Sequence, residues 1–268
     1  MPFWTMFGLA QGKATTRWPD GKDHGQTGVV GMPRYHPERC VAHCQACVDA
    51  CLPGAISARE APDAQSGHIE IDYGRCVNCQ MCVEHCPEGA MAASEDWAFG
   101  VRRREDLLWQ RAIASEAGQA LGKAVRGFKR SIHIRHVDAG SCNGCESELQ
   151  ALNNPFYNLH RLGFFFTASP RFADLLLVTG TVTYAMREPL KRAFEAMPEP
   201  RWVMATGTCA VSGGTNGPTY ASGSGLDGVL PVDIYLPGCP PNPAAIIQAL
   251  LVMMKRMPQR VQGGRIRD

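Results

Sequence analysis

The chain lacks any apolar run of the roughly 18 residues that a bilayer span requires. The nearest stretch, residues 244–254, is too short and reads as one face of a buried helix. No leader is expected either: Met1 to Ala10 shows no basic region, apolar core or cleavage site, and Arg102-Arg103-Arg104 lies too far inside to be an export signal. These absences lead to the expectation of a cytoplasmic chain that does not itself cross a membrane. Charge of one sign is also scarce, with 27 basic and 25 acidic residues for a net +2. No interleaving of aromatic and basic residues and no recognised module accompanies it, so nucleic acid is not an expected partner. Gly213-Gly214-Thr-Asn-Gly217 lacks the Lys-Ser/Thr ending of a phosphate-cradling loop, which leaves a flexible loop or a loop lending amides as its readings.

What the chain does have is cysteine. Twelve occur in 268 residues: eight between Cys40 and Cys86, then Cys142 and Cys145, then Cys209 and Cys239. A reducing compartment disfavours disulfides and favours thiolates on metal. The charge is unevenly spread. Residues 1–98 carry 7 basic and 12 acidic side chains, whereas 99–130 carry 8 and 3. The acidic front suits a ferredoxin, and the basic stretch either docks an acidic partner or anionic lipid or is a solvated helix face.

Four segments follow. Residues 1–36, rich in Gly, Pro and polar residues, read as an extended arm whose Phe3, Trp4 and Phe7 could pack on a neighbour. Residues 37–98 hold two cysteine blocks flanking Gly67 to Asp72, whose alternation suits a short strand pair. Residues 99–130 read as a helical connector, because Leu108, Ala112, Ile113, Ala117, Leu121, Ala124, Val125 and Phe128 recur at helical spacing. From 131 to 268 strands alternate with helices. Ile132 to Val137, Ala173 to Thr179, Trp202 to Ala205 and Val232 to Leu236 read as strands, and Tyr184 to Met197 and Pro243 to Met257 as helices. That alternation implies an α/β unit with a parallel sheet, whose ligands sit beyond the carboxyl ends of the strands. Cys142, Cys209 and Cys239 each follow a strand closely and Cys145 opens a helix, so four thiolates gather at one sheet edge.

The second block, Cys76-Val-Asn-Cys79-Gln-Met-Cys82-Val-Glu-His-Cys86-Pro87, has the bacterial ferredoxin spacing, in which three thiolates wrap one cube and the fourth reaches the other. The first, Cys40-Val-Ala-His-Cys44-Gln-Ala-Cys47-Val-Asp-Ala-Cys51-Leu-Pro53, departs by one extra residue between its first two cysteines and a Leu before the proline. The crossed pattern assigns Cys40, Cys44, Cys47 and Cys86 to one 4Fe-4S cluster and Cys51, Cys76, Cys79 and Cys82 to the other. Four thiolates also suit structural zinc, the plainer alternative. His43 and His85 read as neighbours of ligands or as surface residues. So small a unit has little core of its own, and its clusters are expected to supply much of its folding free energy.

Three further segments carry a resemblance: Asp138-Ala-Gly-Ser-Cys142-Asn-Gly-Cys145-Glu146, Gly207-Thr-Cys209-Ala-Val-Ser-Gly213-Gly214 and Pro237-Gly238-Cys239-Pro240-Pro241. Residues 131–268 resemble the small subunits of energy-converting NiFe-hydrogenases, including the formate hydrogenlyase type, and the homologous cluster-bearing subunit of complex I. The resemblance implies a flavodoxin-like domain in which Cys142, Cys145, Cys209 and Cys239 hold a third 4Fe-4S cluster. It also implies a NiFe-hydrogenase large subunit, or a homologue, that carries the catalytic metal, with further iron-sulfur and membrane-arm subunits holding the complex on the inner face of the cell membrane. Asn143 and Gly144 separate the first two ligands as in the hydrogenases, whereas complex I subunits have them adjacent. A partner without nickel, in a complex I-like enzyme acting on a quinone, is the alternative. Glu146 matches a glutamate of the signature. It is read either as a proton-coupled residue or as a carboxylate favourably placed at a helix start.

Overall fold

The computed structural model describes residues 3–12, 28–58, 69–108, 131–215, 217–261 and 264–265. Its framework is a five-stranded, all-parallel sheet made of β5 (Ile132–Asp138), β6 (Phe164–Phe166), β7 (Leu175–Thr179), β8 (Trp202–Thr206) and β9 (Ile234–Leu236). The spatial order is β6-β5-β7-β8-β9, the flavodoxin-like order. Register runs Ile134 to Leu175, Leu175 to Trp202 and Met204 to Ile234. β7 and β8 are buried at every residue, as central strands covered on both faces must be, and their continuous apolar runs reflect it.

Four helices accompany the sheet: α4 (Gly144–Ala151), α5 (Tyr184–Glu195), α6 (Thr208–Ser212) and α7 (Pro243–Met253). α7 is buried along its whole length. It starts where the Asn242 side chain accepts from the Ala245 amide at 2.8 Å, with Pro243 in the first turn, and it ends four residues before Met257, just ahead of Lys255 at φ 55°. One face of the sheet packs Ile134, Leu175, Leu177 and Met204 against Leu149 of α4 and the apolar side chains of α7.

The leading unit is a duplicated pattern of strand, short helix, strand: β1 (Arg34–Tyr35), α2 (Ala46–Asp49), β2 (Ile56–Ala58), then β3 (Ile69–Ile71), α3 (Met81–Glu84), β4 (Met91–Ala92). β1 pairs with β4 and β2 with β3, both antiparallel, so each half completes the other. Its core is not the isolated one expected from its size. Tyr35, Ile56, Ile71, Tyr73 and Met91 run without a break into Phe99, Val101 and Leu107 and on to Leu176, Val178 and Val203 on the second face of the sheet.

Residues 97–108 join the two parts, and the expected helical connector is absent over the described portion. Val101 exchanges both backbone hydrogen bonds with Tyr235, at 3.0 and 2.8 Å, and so adds an antiparallel bridge to the edge strand β9. Gly100 lies against Ala249 so closely that a Cβ would stand 2.7 Å from it. Arg104 then opens a 3-10 turn, Arg104–Leu107, and grips Asp72 with both guanidinium nitrogens at 2.7 and 2.6 Å. The rest of the predicted connector, 109–130, lies outside the described residues, as do Gly67 and His68.

The expected arm also differs. Phe3–Gln11 forms a helix, α1, with Phe3, Met6 and Leu9 well exposed, and the segment from Gly31 belongs to the leading unit, with Met32 buried and Arg34 and Tyr35 paired to β4. β6 was not foreseen.

Candidate metal centres

In the leading unit the two short helices bring the distant cysteines together. Cys47 lies within α2 and Cys82 within α3, with Cys51 and Cys86 just beyond the helix ends. Cys51, Cys76, Cys79 and Cys82 line one small cavity with Pro33, Ile56, Ile71 and Gln80. The remaining set is close as well: the Cys47 thiol is pushed up to about 11 by burial first, then by Cys40, Cys86 and Cys44. Burial and neighbouring sulfurs, Cys51 among them, push Cys76 and Cys82 up to about 12. Sulfurs so crowded shed their protons only against a cationic core, the condition that an iron-sulfur cluster meets.

Backbone amides point at these sulfurs. Ala55 N–H donates to Cys51 Sγ at 3.2 Å, Met91 to Cys86 Sγ at 3.3 Å and Asn78 to Cys76 Sγ at 3.4 Å. The first two serve the last cysteine of each block, from four residues on in one half and five in the other. His43, Asn78 and Gln80 adopt left-handed backbone between the cysteines, a requirement of the tight wrap that their spacing alone did not reveal. His85 turns away, its Nδ1 2.9 Å from the Met81 carbonyl.

The third quartet stands at the carboxyl edge of the sheet. Cys142 follows β5, Cys145 lies in the first turn of α4, Cys209 in the first turn of α6 after β8, and Cys239 follows β9. Asp138 Oδ1 accepts from Gly140 and Ser141 amides, each at 2.8 Å, and shapes the loop that carries Cys142. Glycine makes room for the sulfurs. A Cβ on Gly207 (φ 86°) would lie 2.6 Å from Cys145 Sγ, and one on Gly214 (φ 76°) 2.9 Å from Cys209 Sγ. Burial raises the Cys145 thiol, helped by Glu146 and then by Cys209, Cys239 and Cys142, and pushes Cys209 up to about 11. A space kept free by glycines and ringed by four cysteines fits a cluster. Among the described residues, no three His, Cys, Asp or Glu side chains group as a single metal ion would require.

Glu146 sits in the first turn of α4, as its helix-start reading needs, but its side chain also crosses to the sheet. Its Oε1 accepts from the Thr179 hydroxyl and lies 3.5 Å from His136 Nε2, which is itself 2.9 Å from Thr179 Oγ1. Burial lowers the His136 pKa, against the opposing pull of Glu146. These partners on β5 and β7 escaped the sequence reading, because a polar residue inside an apolar strand carries no sign of what it faces.

Residues 39–90 match the 4Fe-4S dicluster domain, and residues 142–253 match the family described as NADH ubiquinone oxidoreductase, 20 kDa subunit. An uncharacterized protein of Methanocaldococcus jannaschii is 47% identical over 123 residues, which cover 46% of this chain and 82% of that one. The chain belongs to the 20 kDa subunit family. This member carries a 4Fe-4S dicluster domain in front of the family region. Formate hydrogenlyase subunit 7 of Escherichia coli (strain K12) is 41% identical over 150 residues, 56% of this chain and 57% of that protein, so the chain spans little more than half of that relative. Among solved structures, the membrane-bound sulfane sulfur reductase, an archaeal respiratory membrane complex, contains a chain 33% identical at a TM-score of 0.44, with 49% of this chain and 72% of that one covered. Among the described residues no helix is long and apolar enough to cross a membrane.

Proposed function

We propose that this 20 kDa subunit family member relays electrons through three 4Fe-4S clusters to or from a NiFe centre held by a separate large subunit. The observation that carries this reading is the fall of all twelve cysteines into three quartets in space, one of them at the edge of a parallel sheet. Cys40, Cys44, Cys47 and Cys86 would hold the first cluster, Cys51, Cys76, Cys79 and Cys82 the second, and Cys142, Cys145, Cys209 and Cys239 the third. Bound there, the clusters supply one-electron transfer. The chain's own residues position and insulate them: Ala55, Asn78 and Met91 amides donate to sulfur, and Gly207 and Gly214 hold the backbone close to the third site.

The relationship to formate hydrogenlyase subunit 7 and the two residues between Cys142 and Cys145 favour a hydrogenase partner. The family's description favours a second reading, in which the partner lacks nickel and the complex is complex I-like and acts on a quinone. In either, a membrane arm made of other subunits anchors the complex to the inner face of the cell membrane. Purifying the native complex through a tag on this chain separates the two. A copurifying large subunit with bound nickel and a Cys-x-x-Cys pair near each end supports the hydrogenase reading; a large subunit without either overturns it.

A further inference from the structure

The second and third quartets meet at one side chain. Thr208 is the first residue of α6, 1% exposed, and directly precedes Cys209. Its hydroxyl donates to the backbone carbonyl of Cys76 at 2.9 Å and accepts from the Gly238 amide at 3.1 Å. Its own backbone N–H donates to the Gly238 carbonyl at 2.9 Å, and Gly238 precedes Cys239. One hydroxyl therefore touches the chain beside a cysteine of the second quartet and beside two of the third. A hydroxyl has a single hydrogen to give, and here it is committed across the boundary between the two units. Alongside, Asn78 of the second quartet's loop lines one cavity with Pro237, Pro240 and Pro241. The loop of the first quartet differs: Val41 within it is 51% exposed.

We infer that the Thr208 hydroxyl is a positioning residue that couples the second cluster to the third by pinning Cys76 to the Cys209 and Cys239 loops. The inference rests on the three-cluster reading above. In the step that it serves, one electron leaves the second cluster, which is oxidised, and enters the third, which is reduced; no proton moves and no bond at Thr208 changes. The hydroxyl's part is to hold the gap short and free of water. Valine has threonine's shape without the hydroxyl, whereas serine keeps the hydroxyl.

The test uses the full chain, purified anaerobically with its clusters, as parent, Thr208→Val and Thr208→Ser. A single reducing equivalent is injected by a light flash, and its redistribution from the first two clusters to the third is followed by spectroscopy. Iron content and cluster potentials are measured alongside. The expected result is a several-fold slower arrival at the third cluster in Thr208→Val, with parental iron content and potentials, and recovery in Thr208→Ser. Should Thr208→Val lose iron, Thr208→Ala, which cannot overfill the site, carries the same expectation. Parental redistribution in the variant lacking the hydroxyl overturns the inference alone. A parent with iron for fewer than three clusters overturns the three-cluster reading and the inference with it.

Discussion

Gly207 shows how far a single residue can decide whether a metal site forms. It follows a strand and precedes a helix, and its φ of 86° and the 2.6 Å from its missing Cβ to Cys145 Sγ strain any other residue placed there. Gly207→Ala is therefore expected to displace Cys145 and remove the third cluster while the ferredoxin-like pair survives. Iron would fall by about a third relative to the parent, from three cubes to two. Unchanged iron and an unchanged spectrum of the third cluster in that variant would contradict this account of the site. The twelve thiols themselves were legible from spacing. Their proposed grouping rests on two signals legible in the sequence, the crossing rule of the ferredoxin run and, for the third set, the sheet-edge rule. The left-handed residues Asn78 and Gln80 were not, since nothing in their side chains demands that conformation.

At the scale of elements, legibility followed burial. β7 and β8 are covered on both faces, so their apolar runs announced them, and α7 is buried throughout. β6 is three residues long and lies at the sheet edge with Phe165 and Phe166 outward, too little pattern to separate from a loop. α1 lacks the polar face whose alternation marks a surface helix, since Phe3–Gln11 has no charged residue. Residues 99–108 fall in the predicted connector, whose helical spacing begins only at Leu108, and Val101 is claimed instead by the open edge of β9, a tertiary contact invisible in local sequence.

The amino edge of the sheet carries a repeated device of the same kind. Asp174 and Asp233 each stand just before a strand and accept the first free amide of the neighbouring strand, His133 and Val203 respectively, both at 2.8 Å. Burial raises the Asp233 carboxyl from its ordinary 3.8 to about 6, against the pull of the Val203 amide. The folded chain thus holds this proton more tightly than the unfolded one. That contribution is complete below about pH 4 and is lost as pH rises through about 6, above which a buried carboxylate burdens the fold. Asp233→Asn keeps the acceptor and removes the charge. The variant should gain up to about 3 kcal/mol at pH 7.5, read as a higher unfolding midpoint, with the gain shrinking at pH 5. A pH-independent difference, or a loss at pH 7.5, would show that the carboxylate is not burdened by burial.

For the whole molecule, the dicluster unit and the sheet unit share one core and one bridging segment, so the three quartets are held as parts of a single body rather than as beads on a linker. That arrangement is what a relay requires, because transfer between fixed centres depends on gaps that do not fluctuate. It also changes an expectation taken from size alone. The leading unit shares apolar packing with the sheet, through Tyr73, Phe99 and Val101, so its core is larger than its length suggests. The central claim is that the twelve cysteines hold three cubes, and the most direct check is metal and acid-labile sulfide analysis of the anaerobically purified chain with Mössbauer spectroscopy. The account predicts about 12 iron atoms per chain, all as 4Fe-4S clusters. Zinc in place of iron at any quartet, or iron for two cubes only, would contradict it.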